Sequence, residues 1–172
     1  MSARLSTAIR IGDAAMAIFR KTRSFPDQRP GEIKDWAYQE HIGVEPMLLA
    51  LSMELALKAW FVFDYDNPNA LKSHDLTKLF DALLPESQQQ LDQEFRRSVN
   101  ARHLSPISDD YGIRDILTQH KDAFIDWRYL HEAKKTMMFD QSAFEATLKM
   151  VLHEFRKRYR IKKVLPAFGQ YE

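Results

Sequence analysis

Between Pro46 and Phe63 the chain places apolar side chains on nearly every face of a helix: Met47, Leu48, Leu49, Leu51, Met53, Leu55, Leu57, Trp60 and Phe61. A helix that is apolar all round needs neighbours on several sides. This segment therefore predicts a central helix surrounded by others. Pro46 either begins it or breaks a helical region starting near Glu32, because proline is tolerated in a first turn and not in a helix interior. The stretch is shorter than a bilayer span and contains Glu54 and Lys58, which favours a core or dimer-interface helix over a membrane anchor. No segment approaches a spanning length of uncharged apolar sequence.

The surrounding pattern is helical too. Leu5, Ile9, Ala15, Met16 and Phe19 recur near helical spacing over about Ser2 to Arg23. A loop follows at Ser24–Gly31, with two prolines and a glycine. Asp64–Asn69 reads as a turn, and Ser73 as the cap of a helix with Leu76, Leu79, Phe80 and Leu83 inward. Pro85 opens another helix anchored by Leu91 and Phe95, and Ser105–Gly112 is a loop. Ile113 to about Lys135 reads as one long helix with Ile116, Leu117, Phe124, Trp127 and Leu130 apolar. Asp140 or Ser142 caps the last helix, whose stripe is Phe144, Leu148, Val151, Leu152, Phe155 and Tyr159. No strand pattern, low-complexity segment or internal repeat competes. The expected fold is all-α, a four- to six-helix up-and-down-like bundle, occupying residues 1–165 as one domain with a loose tail at 166–172.

Composition narrows the chemistry. The 172 residues suit one domain with a substantial core. The absence of cysteine removes disulfides, thiolate catalysis and Cys-based zinc sites, and is compatible with a cytoplasmic setting. The N-terminus lacks the apolar run of a signal peptide. The six histidines show no HExxH or other metal spacing, so neither a metal nor another cofactor is expected. There is no glycine-rich phosphate loop and no GxSxG elbow. The net charge of +1 names no partner, yet Arg156–Lys163 holds six cations in eight residues. That run suits either phosphate contacts through Arg156, Arg158, Arg160, Lys162 and Lys163, or a solvated helix end favoured by the dipole.

Polar residues on helices that should be buried point to a shared centre, since a buried charge needs a partner. Glu54 and Lys58 are one helical turn apart. His74 and Asp75 stand at a helix start. Asp126, Arg128, Tyr129, His131 and Glu132 crowd one stretch. Two readings follow. Either Arg128 grips a phosphate while His74 or His131 titrates near neutral pH, or Arg128, Glu132, Glu54 and Tyr129 satisfy one another between helices.

Three pieces together, Glu54-Leu-Ala-Leu-Lys58, His74-Asp-Leu-Thr-Lys-Leu-Phe80 and Trp127-Arg-Tyr-Leu-His-Glu132, resemble the HEPN superfamily of small helical bundles over roughly residues 40–160. The resemblance implies a homodimer with facing polar centres. Many members are RNases of toxin, defence or RNA-processing systems, and others bind nucleotides, RNA or proteins without catalysis. Catalytic members carry an Arg followed about four to six residues later by a His, for metal-independent RNA cleavage. Here Arg96 and Arg97 precede His103, and Arg114 precedes His120, but His131 follows Arg128 after only three positions. The resemblance carries over Glu54, Lys58, His74, Asp75, Arg128, Tyr129 and Glu132 as a polar centre. The leading expectation is a non-catalytic homodimeric module binding RNA, a nucleotide or a protein partner, with no membrane contact. The alternatives are an endoribonuclease using Arg128 with His131 or His74, or Arg114 with His120, and a structural or regulatory dimer without a ligand.

Overall fold

The computed structural model describes residues 3–24, 43–67, 71–100, 111–129, 132 and 138–159. The regions 25–42, with the loop and the helical start near Glu32, and 160–172, with the tail, lie outside them. The described residues form an all-α structure without strands. In order they are α1 (Ala3–Thr22), α2 (Val44–Tyr65), α3 (Leu76–Asp81), α4 (Pro85–Phe95), a π-helical turn (Arg96–Asn100), α5 (Ile113–Gln119), α6 (Ala123–Arg128) and α7 (Gln141–Arg158).

As the sequence predicts, α2 is the central element. It packs against α1, α3, α6 and α7, and Leu49, Met53, Leu57 and Trp60 are fully buried. Pro46 lies in its first turn, where its missing N–H is harmless. The helix is longer than the apolar run alone implies. Its 22 residues, with mean hydropathy 1.5 over the best window, are long and apolar enough to cross a membrane, contrary to the sequence expectation. The helix is nonetheless a core element, because other helices bury 56% of that window and it contains the buried Glu54–Lys58 pair.

Small residues let α1 approach α2 closely. Ala8, Gly12 and Ala15 form a buried stripe on α1, and the Ser52 hydroxyl on α2 donates to the Ala15 carbonyl at 2.7 Å. Leu55, further along α2, shares a surface hollow with Thr7 and Ile11, so the two helices run antiparallel. α7 runs parallel to α2, with Trp60 Nε1 donating to the Val151 carbonyl at 3.3 Å and Asp64 meeting Arg158. The Phe155 ring sits between these helices, 6.1 Å by centroids from both Trp60 and Phe63. It also fills the space above Gly12, where a Cβ would stand 2.7 Å from Phe155 Cε1.

Two local readings are corrected. The cap of α3 is Asp75 rather than Ser73: its carboxylate accepts from the Lys78 N–H at 3.0 Å. Ser73 instead receives the Asp75 N–H at 3.1 Å, bracing the turn before the helix. The long helix expected from Ile113 to Lys135 is two short ones, broken at His120–Asp122. Tertiary bonds hold the break. The Lys121 carbonyl accepts the otherwise orphaned Leu76 N–H at the start of α3 (3.1 Å), and the His120 ring accepts the Asp140 N–H before α7 (3.1 Å). Of the two caps offered for α7, Asp140 serves, accepting from the Ala143 N–H at 3.0 Å.

Elsewhere Asp92 organises the entry to α5. It accepts the Ile113 N–H at 3.0 Å and binds Arg96 Nε at 2.8 Å. Gly112 is needed there, since a Cβ would lie 2.4 Å from Asp92 Oδ1.

Replacing Gly12 with alanine should destabilise the fold by about 1–3 kcal/mol despite alanine's better helix propensity, because Phe155 has no room to retreat. A lower urea midpoint with an unchanged m-value would bear this out, and an unchanged or higher midpoint would contradict it.

Candidate functional site

Glu54 is the most deeply placed carboxylate of the expected polar centre, only 3% exposed. Each of its oxygens has one donor: Lys58 Nζ at 2.6 Å on Oε1, and His74 Nδ1 at 2.9 Å on Oε2. The Lys58 contact follows from helical spacing on α2. The His74 contact depends on the braced turn ahead of α3, which holds the imidazole over α2. Beside a carboxylate, Nδ1 must carry the proton. Nε2 is then left for the outer side of a residue whose side chain is 53% exposed. The opposite ring face rests on Phe124 of α6, with centroids 5.2 Å apart and an interplanar angle of 31°. Both carboxylate oxygens are thus engaged from within, and the outward Nε2 of a neutral His74 is an acceptor.

The remaining members of the expected centre take different places. Asp75 is the α3 cap. Arg128 ends α6, one turn beyond Phe124 and so on the same helix face, with its guanidinium 5.5 Å from the Tyr129 ring centroid. Arg128, Tyr129 and Glu132 are all exposed. The reading in which they close a buried network with Glu54 is therefore corrected. α6 ends at Arg128, and Glu54 is satisfied by Lys58 and His74 instead. His131 lies outside the described residues, as does His103.

The alternative pair Arg114 and His120 is not arranged for chemistry. Arg114 makes a two-pronged bond to Asp81 (2.8 and 2.9 Å), tying α5 to α3. His120 is 5% exposed. Its Nδ1–H donates to the Ile116 carbonyl at 2.9 Å while Nε2 accepts the Asp140 N–H at 3.1 Å, so it is a neutral imidazole with both nitrogens occupied. Burial lowers its pKa, opposed in part by the Ile116 carbonyl and by Asp140. The rings of Phe139 and Phe144 enclose it, at 4.8 and 5.2 Å. Arg96 and Arg97 are likewise paired, with Asp92 and Glu94 respectively.

The basic run also divides. Arg158 is not a phosphate contact. Its guanidinium lies 4.7 Å from the Trp60 centroid and 4.5 Å from that of Phe63, and donates to Asp64 Oδ1 at 2.6 Å. The Asp64 side chain is fully buried, and it also accepts from Ser87 Oγ (2.9 Å) and the Leu84 N–H (3.2 Å). This pair joins α2, α4 and α7. Arg156 is exposed and stands 4.0 Å from Asp13. Arg160, Lys162 and Lys163 lie outside the described residues. Among the described residues no three His, Asp or Glu side chains gather as a metal would require.

Asp64 was missed in the sequence, where it reads as part of a turn. Arg158 carried a usable signal: with Val151 and Phe155 it falls at helical spacing on the apolar stripe of α7. Comparison of the chain with protein-family models, curated proteins and solved structures finds no match.

Two stability outcomes follow. Arg158→Ala strands the Asp64 carboxylate in the interior and should cost about 3–5 kcal/mol, read from denaturant unfolding. For His120 the folded pKa is below its unfolded value of about 6.5. The unfolded chain therefore binds the proton more readily, and the His120 contribution is complete above that pH and lost as pH falls through the folded pKa. Urea midpoints should decline below about pH 6.5 in the native sequence. In His120→Asn that part of the slope should vanish, on a lower baseline; an equal slope in both would assign it to other groups.

Proposed function

We propose that this chain is a HEPN-like helical module that binds a phosphate-bearing ligand, RNA or a nucleotide, without cleaving it, and that it acts as a homodimer. One observation carries the reading: both Glu54 oxygens are held internally by Lys58 and His74, so no carboxylate oxygen is left facing outward to repel a phosphate beside Arg128. The Glu54 and Lys58 charges balance each other. Arg128, one turn beyond the ring that supports His74, supplies a guanidinium suited to phosphate. The withdrawal of His120 and Arg114 into structural bonds supports a binding role over cleavage. Ile125 on α6 and Tyr129 just past its end are both exposed apolar side chains, through which a second copy would bring two such clusters together.

A second reading has its own support. An imidazole held through Nδ1 by a buried carboxylate, with Nε2 outward, is oriented as a general base is. His74 with Arg128 would then serve metal-independent cleavage of RNA.

The deciding experiment uses a fluorescent single-stranded RNA and a labelled nucleotide with the full chain in EDTA, beside Arg128→Ala and His74→Gln, with folding checked by circular dichroism. The binding reading expects intact ligand, affinity reduced about tenfold in Arg128→Ala, and a shallower salt dependence. RNA cleavage by the native chain that His74→Gln abolishes would transfer the assignment to the ribonuclease. Absence of both binding and cleavage would overturn each.

A further inference from the structure

A second concave surface lies between α1, the π-helical turn and α7, and shares no lining residue with the His74 cluster. It is an open groove of about 710 Å³, within the roughly 300–1,000 Å³ range of small-ligand pockets. Its floor is apolar and includes Met16, Phe19, Val99 and Met150. Methionine side chains adapt to varied apolar shapes. Its rim is cationic: Arg20, Arg23, Lys149 and Arg156 line it, with His153 between them in position on α7.

The charge balance of the groove is one-sided. Its two carboxylates, Glu94 and Glu154, are already neutralised by cations that do not line it. Arg97 bonds Glu94 through both Nε and a terminal nitrogen (2.9 Å each), and Lys157 binds Glu154 at 2.6 Å. Two of the lining cations also have partners, Arg23 with Glu145 and Arg156 with Asp13 at 4.0 Å. Arg20 and Lys149 have no acidic partner among the described residues, and both are exposed. An apolar floor under these two cations fits a molecule with an apolar body and one anionic head.

We propose that this groove is a binding site for a small amphipathic anion, an alkyl carboxylate or alkyl phosphate, with its chain on Met16, Phe19 and Met150 and its head between Arg20 and Lys149. A headgroup in a lipid surface would offer the same chemistry. The open but bounded volume favours a free molecule, and the two sources separate experimentally.

The test is titration of the full chain with sodium decanoate, decyl phosphate and the uncharged decanol, followed by the methionine methyl NMR signals of 13C-methyl-labelled protein. The site predicts saturable shifts at Met16 and Met150, with the buried Met53 and the exposed Met138 unmoved. It predicts at least about tenfold weaker binding of decanol, and a similar loss of decanoate affinity in Arg20→Glu/Lys149→Glu, as expected for removal of charge-assisted contacts. Because both residues are exposed, that variant should retain its circular dichroism and thermal midpoint. If it does not fold, Arg20→Gln/Lys149→Gln gives the same reading. Equal binding of decanoate and decanol, shifts spread over all methionines, or undiminished affinity in the folded variant would overturn the proposal. Binding only to anionic phospholipid vesicles, with no response to free decanoate or decyl phosphate, would overturn the small-molecule site in favour of a lipid surface.

Discussion

Keeping α2 out of water is the constraint on which the rest of this structure depends. Its apolar side chains point in every direction, so burying it on one face would leave others wet. α1 and α7 flank it in opposite directions, and the short helices α3 and α6 close the remaining sides. That enclosure makes the few polar groups on α2 consequential. Ser52 is satisfied by a neighbouring helix carbonyl. Glu54 and Asp64 are satisfied by donors brought from the same helix, from a capped turn, or from the far end of α7. Each buried charge therefore also fixes a relation between segments distant in sequence, a specifying role beyond any net gain in stability.

What could be read from the sequence was mostly what local geometry decides. The proline in the first turn of α2, the apolar stripe of α7 and the proline-led α4 depend on spacing and backbone chemistry within a few residues. The Glu54–Lys58 pair is legible for the same reason. The corner between α5 and α6 was not, because its causes are remote: an orphaned N–H on α3 and another before α7 each take an acceptor from it. The inward turn of Arg158 was hidden for a different reason. In a run of six cations, charge composition outweighs the spacing that places one of them on the apolar stripe.

The histidines illustrate how little residue type alone determines. His74 and His120 both have Nδ1 held by an oxygen. One is held by a carboxylate and keeps its second nitrogen toward solvent; the other is held by a carbonyl and spends its second nitrogen on backbone. The first environment leaves one ring nitrogen outside the ion-pair cluster. The second converts an ionisable residue into a cross-brace. Neither outcome was available from the spacing between arginine and histidine, which counts residues and not the faces they occupy.

The π-helical turn at Arg96–Asn100 has a consequence for chain length. Bonds from i to i+5 accommodate one more residue per turn than the α-helix they interrupt. Leu91 and Phe95 pack in the core before the turn, and Val99 returns to it within the turn. A related chain one residue shorter here would close the turn to ordinary α-helix and still present an apolar side chain inward at its end. The wide turn is thus a place where insertion and deletion are absorbed locally, letting the segments on either side diverge in length while the core keeps its registration.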